Sequence, residues 1–236
     1  MIPVALVLGL ALGAAARPAA SNATVKCPII FDGRILATLK PTDFDTSGKG
    51  SPFGADYVKG QGLKWSEILQ FPTVPASRFD NTTHKPFEVT ISDKSIFQTQ
   101  KGFRRAGLQF NGDSNTGSPG WGSGIKTLHF SVKQDSTRPL NLTHEYLVGF
   151  SLEGGGRNCR RALGRGTDVF RQNVWHETSD YSADQIMFQT GTLIDQKSLA
   201  KDTFKVMSRN NQQIWSTPID KEAWQNFAFT LDFGKK

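Results

Sequence analysis

The chain reads as an all-β protein, a jelly roll or β-sandwich with few short helices. Three observations predict it. Apolar and polar residues alternate with period two in run after run. Glycine (23) and proline (11) punctuate those runs, and 17 phenylalanines supply core material. Helical spacing is confined to two short stretches, residues 63–69 (LKWSEIL) and 198–202. Such a pattern suits antiparallel sheets packed face to face.

The strands follow in order. Residues 87–97 (FEVTISDKSIF) set Phe87, Val89 and Ile91 against Glu88, Thr90 and Ser92. Residues 102–110 (GFRRAGLQF) send Phe103, Arg105, Gly107 and Gln109 one way and Arg104, Ala106, Leu108 and Phe110 the other. In residues 124–132 (GIKTLHFSV), Leu128, Phe130 and Val132 share one face. Residues 184–193, 204–208, 212–216 and 226–233 complete the set. Between them, residues 111–124 (NGDSNTGSPGWGSG) form a polar, glycine-rich loop carrying Trp121.

Residues 4–16 (VALVLGLALGAAA) are apolar, end in small residues and are too short to cross a bilayer. They fit the core of a secretory signal peptide, taken as residues 1–20, with the remaining domain at 21–236. Behind it, Asn22, Asn81 and Asn141 each open an N-glycosylation triplet. Together these predict a secreted, extracellular protein with no membrane anchor, and a monomer. Cys27 and Cys159 permit one disulfide in an oxidising compartment, but nothing in their spacing pairs them.

The net charge of +7 raises a nucleic-acid reading. Residues 149–174 hold five arginines (Arg157, Arg160, Arg161, Arg165, Arg171) against Glu153 and Asp168, so the excess is concentrated there. A basic loop is more often a solvated face, and no nucleic-acid partner is expected. Phosphate-cradling glycine loops, HExxH and cysteine–histidine clusters are missing, and His84, His129, His144 and His176 are scattered. No cofactor is expected. Asp43, Asp45 and Asp80 are a conceivable calcium set, although aspartates in turns usually cap backbone.

Carboxylates remain as acid–base candidates. Glycoside hydrolysis typically uses two, one to protonate the leaving oxygen and one to activate water or attack carbon. Aromatic rings suit sugar faces, and Trp65, Trp121, Trp175, Tyr57 and Tyr146 are available. Trp215 and Trp224 read as core packing.

These residues resemble glycoside hydrolase family 131, the fungal β-glucanases. The likeness runs through CPIIFDGRI (27–35), TDFDTS (42–47), SPFGADYVKGQGLKWSEILQFP (51–72), SRFD (77–80), EVTISDKSIF (88–97) and GFRRA (102–106). It continues in GIKTLHFSV (124–132), RPLNLTHEY (138–146), QTGTL (189–193) and NFAFTLDF (226–233). The resemblance implies a β-jelly roll with an open cleft. It also implies inverting hydrolysis of β-1,3-, β-1,4- or β-1,6-glucan by two carboxylates. Glu145, in HEY, matches one family glutamate.

The chain departs from the pattern in four places. Gly107 stands where the family has a catalytic glutamate, so one proton-handling side chain is vacant, a loss of about 10²- to 10⁴-fold in rate. Gln225 stands where the family has histidine. Residues 149–173 read as an insertion, because EYLV and WHETS join into one strand without it. On that strand Glu145, Leu147, Trp175 and Glu177 would share a face. The domain also reads as C-terminally incomplete, with family strands expected beyond Lys236. Arg105, Gln109, Trp121, Trp175 and Glu177 are the candidate substrate-binding residues. The competing expectation is a glucan-binding module without turnover.

Overall fold

In the computed structural model the described residues are 29, 31–102, 104–109, 111, 125–148, 175–177 and 184–232, with 175–177 and 184–185 described by backbone alone. The strands are β1 (Ile35–Leu36), β2 (Leu69–Gln70), β3 (His84–Lys85), β4 (Glu88–Val89), β5 (Ile125–Val132), β6 (Glu145–Leu147), β7 (Trp175–Glu177), β8 (Asp184–Gly191), β9 (Thr203–Ser208), β10 (Gln213–Pro218) and β11 (Gln225–Asp232). Among the described residues helix is limited to a single turn, α1 (Trp65–Ile68), and a 3-10 turn at Pro41–Phe44. Glu67 and Asp43 cap these turns by accepting the backbone N–H of Lys64 (2.6 Å) and Lys40 (2.8 Å).

Two antiparallel sheets build the sandwich. One pairs β5 with β11 from Ile125↔Asp232 to Val132↔Gln225. The other has five strands in the order β10-β9-β8-β6, with β7 also on β8. Alternation sends Phe130 and Val132 of the first sheet and Phe188, Phe204 and Val206 of the second into one core with Phe227, Tyr146 and Val148. The rings interlock: Phe188 meets Phe227 at 4.9 Å and Phe130 at 5.6 Å, both edge to face. Such pairs add roughly 0.5–1.5 kcal/mol beyond the area they bury.

A second core gathers Ile35, Phe44, Phe53, Trp65, Ile68, Leu69 and Val89 from the short pairs β1–β3 and β2–β4 and the turns beside them. The expected strand 87–97 is reduced to Glu88–Val89, since Ser92 to Ser95 closes a turn (2.8 Å). The expected strand 102–110 forms no ladder among its described residues. Instead its backbone bonds go to three places: Arg105 N–H to Ser95 (2.8 Å), Gly107 N–H to Val58 (2.8 Å), and Gly54 N–H to Gln109 (2.9 Å). Residues 198–202 form a turn rather than a helix, with Leu199 N–H on Gln196 (3.2 Å).

The tryptophans sort unexpectedly. Trp65 is fully buried, its indole N–H donating to Ala55 (2.6 Å), so it is core and presents no platform to a sugar. Tyr146 is likewise buried. Trp215 is 44% exposed, contrary to a core role. It sits on β10, at the end of the sheet order, with its ring edge to face against Phe227 (6.2 Å). Trp224 is half-buried and donates to Pro75 (2.7 Å).

β6 and β7 lie end to end along β8. Leu147 pairs with Gln189, the Val148 N–H donates to Phe188 (2.7 Å), and Trp175 pairs with Met187. Positions 148 and 175 therefore hold consecutive rungs of one ladder.

Candidate active site

Glu145 opens β6 opposite Gly191 of β8. Residues that pair across strands share a face, so Glu145 and Leu147 lie with Gln189 and Lys205, while Tyr146 and Val148 turn to the phenylalanine core. On this opposite face Met187, Leu193 and Met207 form a small cluster joined by Leu147 and Leu199.

The chain beyond β8 folds back over Glu145. The pivot is Gly191, at φ +77°, where an added Cβ would stand 1.9 Å from the His144 carbonyl oxygen. Only glycine fits that approach. Thr192 then donates its N–H to His144 (3.0 Å) and its hydroxyl to Leu142 (2.8 Å). Leu193 is buried, and the Ile194 N–H donates to Glu145 Oε2 at 2.7 Å. Burial raises the carboxyl's affinity for a proton, the Ile194 bond opposes that, and the charge of Asp195 adds to it. A carboxyl held protonated above its ordinary range is what a general acid requires.

Gly107 lies in the segment 104–109, half-buried beside Tyr57 and Val58. A Cβ built there would meet Val58 Cβ at 3.9 Å and Tyr57 Cδ1 at 4.0 Å, ordinary contact distances. Its φ lies outside the positive range, so no backbone conformation demands glycine. Arg105 donates Nη1 to Gln100 Oε1 (2.9 Å), and Gln109 is half-buried on the same strip.

Gln225 has a different occupation. Its Oε1 accepts the Asp220 N–H (2.8 Å) and its Nε2 donates to the Pro218 carbonyl (2.9 Å). The amide thus closes the turn between β10 and β11. Trp175 holds register opposite Met187 and Glu177 opposite Asp184. Trp121, Asn22, Cys27 and Cys159 lie outside the described residues. Asn81 and Asn141 are exposed, and each side-chain oxygen accepts the hydroxyl of its own triplet's threonine, Thr83 or Thr143, at 2.7 Å.

Asp43, Asp45 and Asp80 are spent on separate turns. Asp45 takes both the N–H (2.9 Å) and the hydroxyl (2.7 Å) of Ser66, and Asp80 takes the Ser77 N–H (2.9 Å). Among the described residues no group of three or more His, Cys, Asp or Glu side chains is placed to hold a metal ion. Sequence reasoning missed Lys205, a fully buried lysine, and the pair of Glu88 with Arg138. The one signal was a lysine inside the apolar run FKVMS.

No curated protein is significantly similar in sequence. Among solved structures, the catalytic domain of the glycoside hydrolase family 131 protein from Coprinopsis cinerea superposes with a TM-score of 0.58 at 21% identity, covering 87% of this chain and 69% of that one. The profile of the glycoside hydrolase 131 catalytic N-terminal domain matches residues 29–156 and 170–236, passing over residues 157–169 inside the arginine-rich segment. A match over that much of the sequence, on a two-sheet fold, means that the chain belongs to glycoside hydrolase family 131.

Proposed function

We propose that this protein is a secreted β-glucan hydrolase in which one half of an inverting acid–base pair is in place and the other is empty. Glu145 carries the reading: a carboxyl clamped by a backbone N–H at 2.7 Å, with burial raising its proton affinity, at the end of a sandwich strand. It would hand a proton to the leaving glycosidic oxygen as the acid, or take one from the attacking water as the base. The partner role falls at position 107, where glycine offers no group to titrate. Arg105, Gln109, Trp175, Glu177 and Trp121 are proposed to contact the glucan.

The vacancy favours a second reading, a glucan-binding module without turnover. One set of assays separates the two. Purified protein, Gly107→Glu and Gly107→Glu/Glu145→Gln are incubated with laminarin and cello-oligosaccharides, and released reducing ends are measured. The hydrolase reading expects little product from the native chain, a gain of about 10² or more in Gly107→Glu, and its loss in the double variant. Room for the new side chain exists, since its Cβ meets only ordinary contacts. Retention on insoluble β-glucan without product in any variant would select the binding module.

A further inference from the structure

Lys205 is the least expected side chain of the second sheet. It is 0% exposed, in mid-strand between Phe204 and Val206, on the face shared by Glu145, Gln189, Met187 and Met207. Burying an ammonium is costly unless its donors are met. Among the described residues Lys205 makes no ion pair. Its Nζ donates instead to the carbonyls of Gly191 (3.2 Å) and Thr203 (3.1 Å). The burial cost lowers the lysine's proton affinity, opposed by Asp202. Methionine occupies neighbouring rungs of that face and would fill the space without such a cost.

What the ammonium holds is the pivot of the turn over Glu145. Gly191 pairs with Glu145, tolerates no Cβ, and starts the three-residue path that ends at the Ile194 N–H on the carboxylate. The same carbonyl cannot drift without moving Thr192 off His144 and Leu142. We propose that Lys205 is a positioning residue for Glu145: by fixing the Gly191 carbonyl it aims the Ile194 N–H at the carboxylate. The inference rests on the reading of Glu145 as the acid–base group, and it adds a residue that touches neither the carboxyl nor a substrate.

The test separates the two claims. Glutamate side-chain carbons and backbone amides are followed by NMR through a pH titration of the native chain and of Lys205→Met, with Glu145 assigned by its loss in Glu145→Gln. Asp195 is the charge that acts on Glu145, and it is unchanged in both proteins. In the native chain the Ile194 amide proton should titrate together with Glu145. In folded Lys205→Met the Glu145 midpoint should move upward, because the bond that opposes protonation is slackened, and the Ile194 amide should cease to follow it. An unchanged midpoint and an unchanged Ile194 response in the folded variant would overturn the proposal, leaving Lys205 purely structural. Should Lys205→Met fail to fold, the native chain labelled at lysine nitrogen decides. A slowly exchanging Lys205 ammonium, coupled through its hydrogen bond to the Gly191 carbonyl carbon, supports the inference, and a freely exchanging one refutes it. These readouts do not depend on turnover, so an inactive Gly107→Glu sinks the hydrolase reading, whereas an unmoved Glu145 midpoint and Ile194 response sink the role of Lys205 alone.

Discussion

Replacing Arg138 with methionine removes the cation that faces Glu88, a carboxylate with 0% exposure on β4. Arg138 Nη2 donates to Glu88 Oε1 at 2.9 Å and to Gln70 Oε1 at 3.3 Å, while its Nε donates to Asp135 Oδ2 at 3.0 Å. The guanidinium itself is 45% exposed, which alone would make this a surface pair worth at most about 1 kcal/mol. Glu88 decides otherwise, because breaking a buried ion pair by removing one partner costs about 3–5 kcal/mol. Solvent at Arg138 argues for the lower end, about 3 kcal/mol. For a domain of this size that is a fall of about 6–12 °C in Tm. Thermal unfolding by near-ultraviolet circular dichroism would report it, in a cycle with Glu88→Gln. The double variant should lose far less than the two singles added together. Arg138→Met within about 0.5 kcal/mol of the native chain, or a coupling near zero, would refute the argument that burial of Glu88 governs the pair.

Two further outcomes follow from the second sheet. Joining Val148 directly to Trp175 deletes residues 149–174 while keeping the adjacent rungs at Phe188 and Met187 of β8 filled, and removes a loop-closure cost on the order of 3 kcal/mol. The deletion variant should fold with a higher Tm by differential scanning calorimetry, and a lower one would show that the segment contributes contacts. Glu145 imposes a pH dependence of definite sign. Its folded-state pKa is raised, so stability is fullest below the unfolded value and declines as pH climbs from there through the folded value. Urea midpoints measured across that window should fall in the native chain and stay flatter in Glu145→Gln.

β5 and β11 were legible because each buries one face only, whereas β8 and β9 bury both. Phe130 and Val132, Phe204 and Val206, and Phe227 obey period two and meet in one core. Residues 102–110 alternate as cleanly, yet their described part forms no ladder, because alternation reports which side is buried and is silent on what the backbone bonds to. Glu88 and Lys205 were invisible for the converse reason. Alternation sets Glu88 on a polar face and Lys205 beside Met207, and packing in three dimensions buries both. The turn that the Gln225 amide closes was not legible either, because it depends on where Pro218 and Asp220 come to lie. Glu145 could be picked out by its match to HEY, but the Ile194 clamp depends on a glycine pivot whose φ no pattern of hydrophobicity encodes.

The two halves of the proposed site are built on unlike foundations, and this explains why one can be lost without the fold. The strip around Gly107 is hung from main-chain bonds, those of Arg105, Gly107 and Gln109 to Ser95, Val58 and Gly54, and from the side-chain bonds of Arg104 to Asp93 and Arg105 to Gln100. Apolar contacts of Ala106 and Leu108 with the Trp65 core complete its support. None of that uses a side chain at position 107, so the scaffold is indifferent to whether a carboxylate stands there. Glu145 is the reverse case. Its carboxyl is part of the structure through Ile194, and it resists ionisation because it is partly withdrawn from water. A strand end with no chemical duty gains nothing from such a group, since glutamine fills the same volume with no charge to desolvate. The expense of keeping Glu145, beside the ease with which Gly107 could accept a side chain, argues for a catalytic scaffold lacking one functional group rather than a surface that never had them.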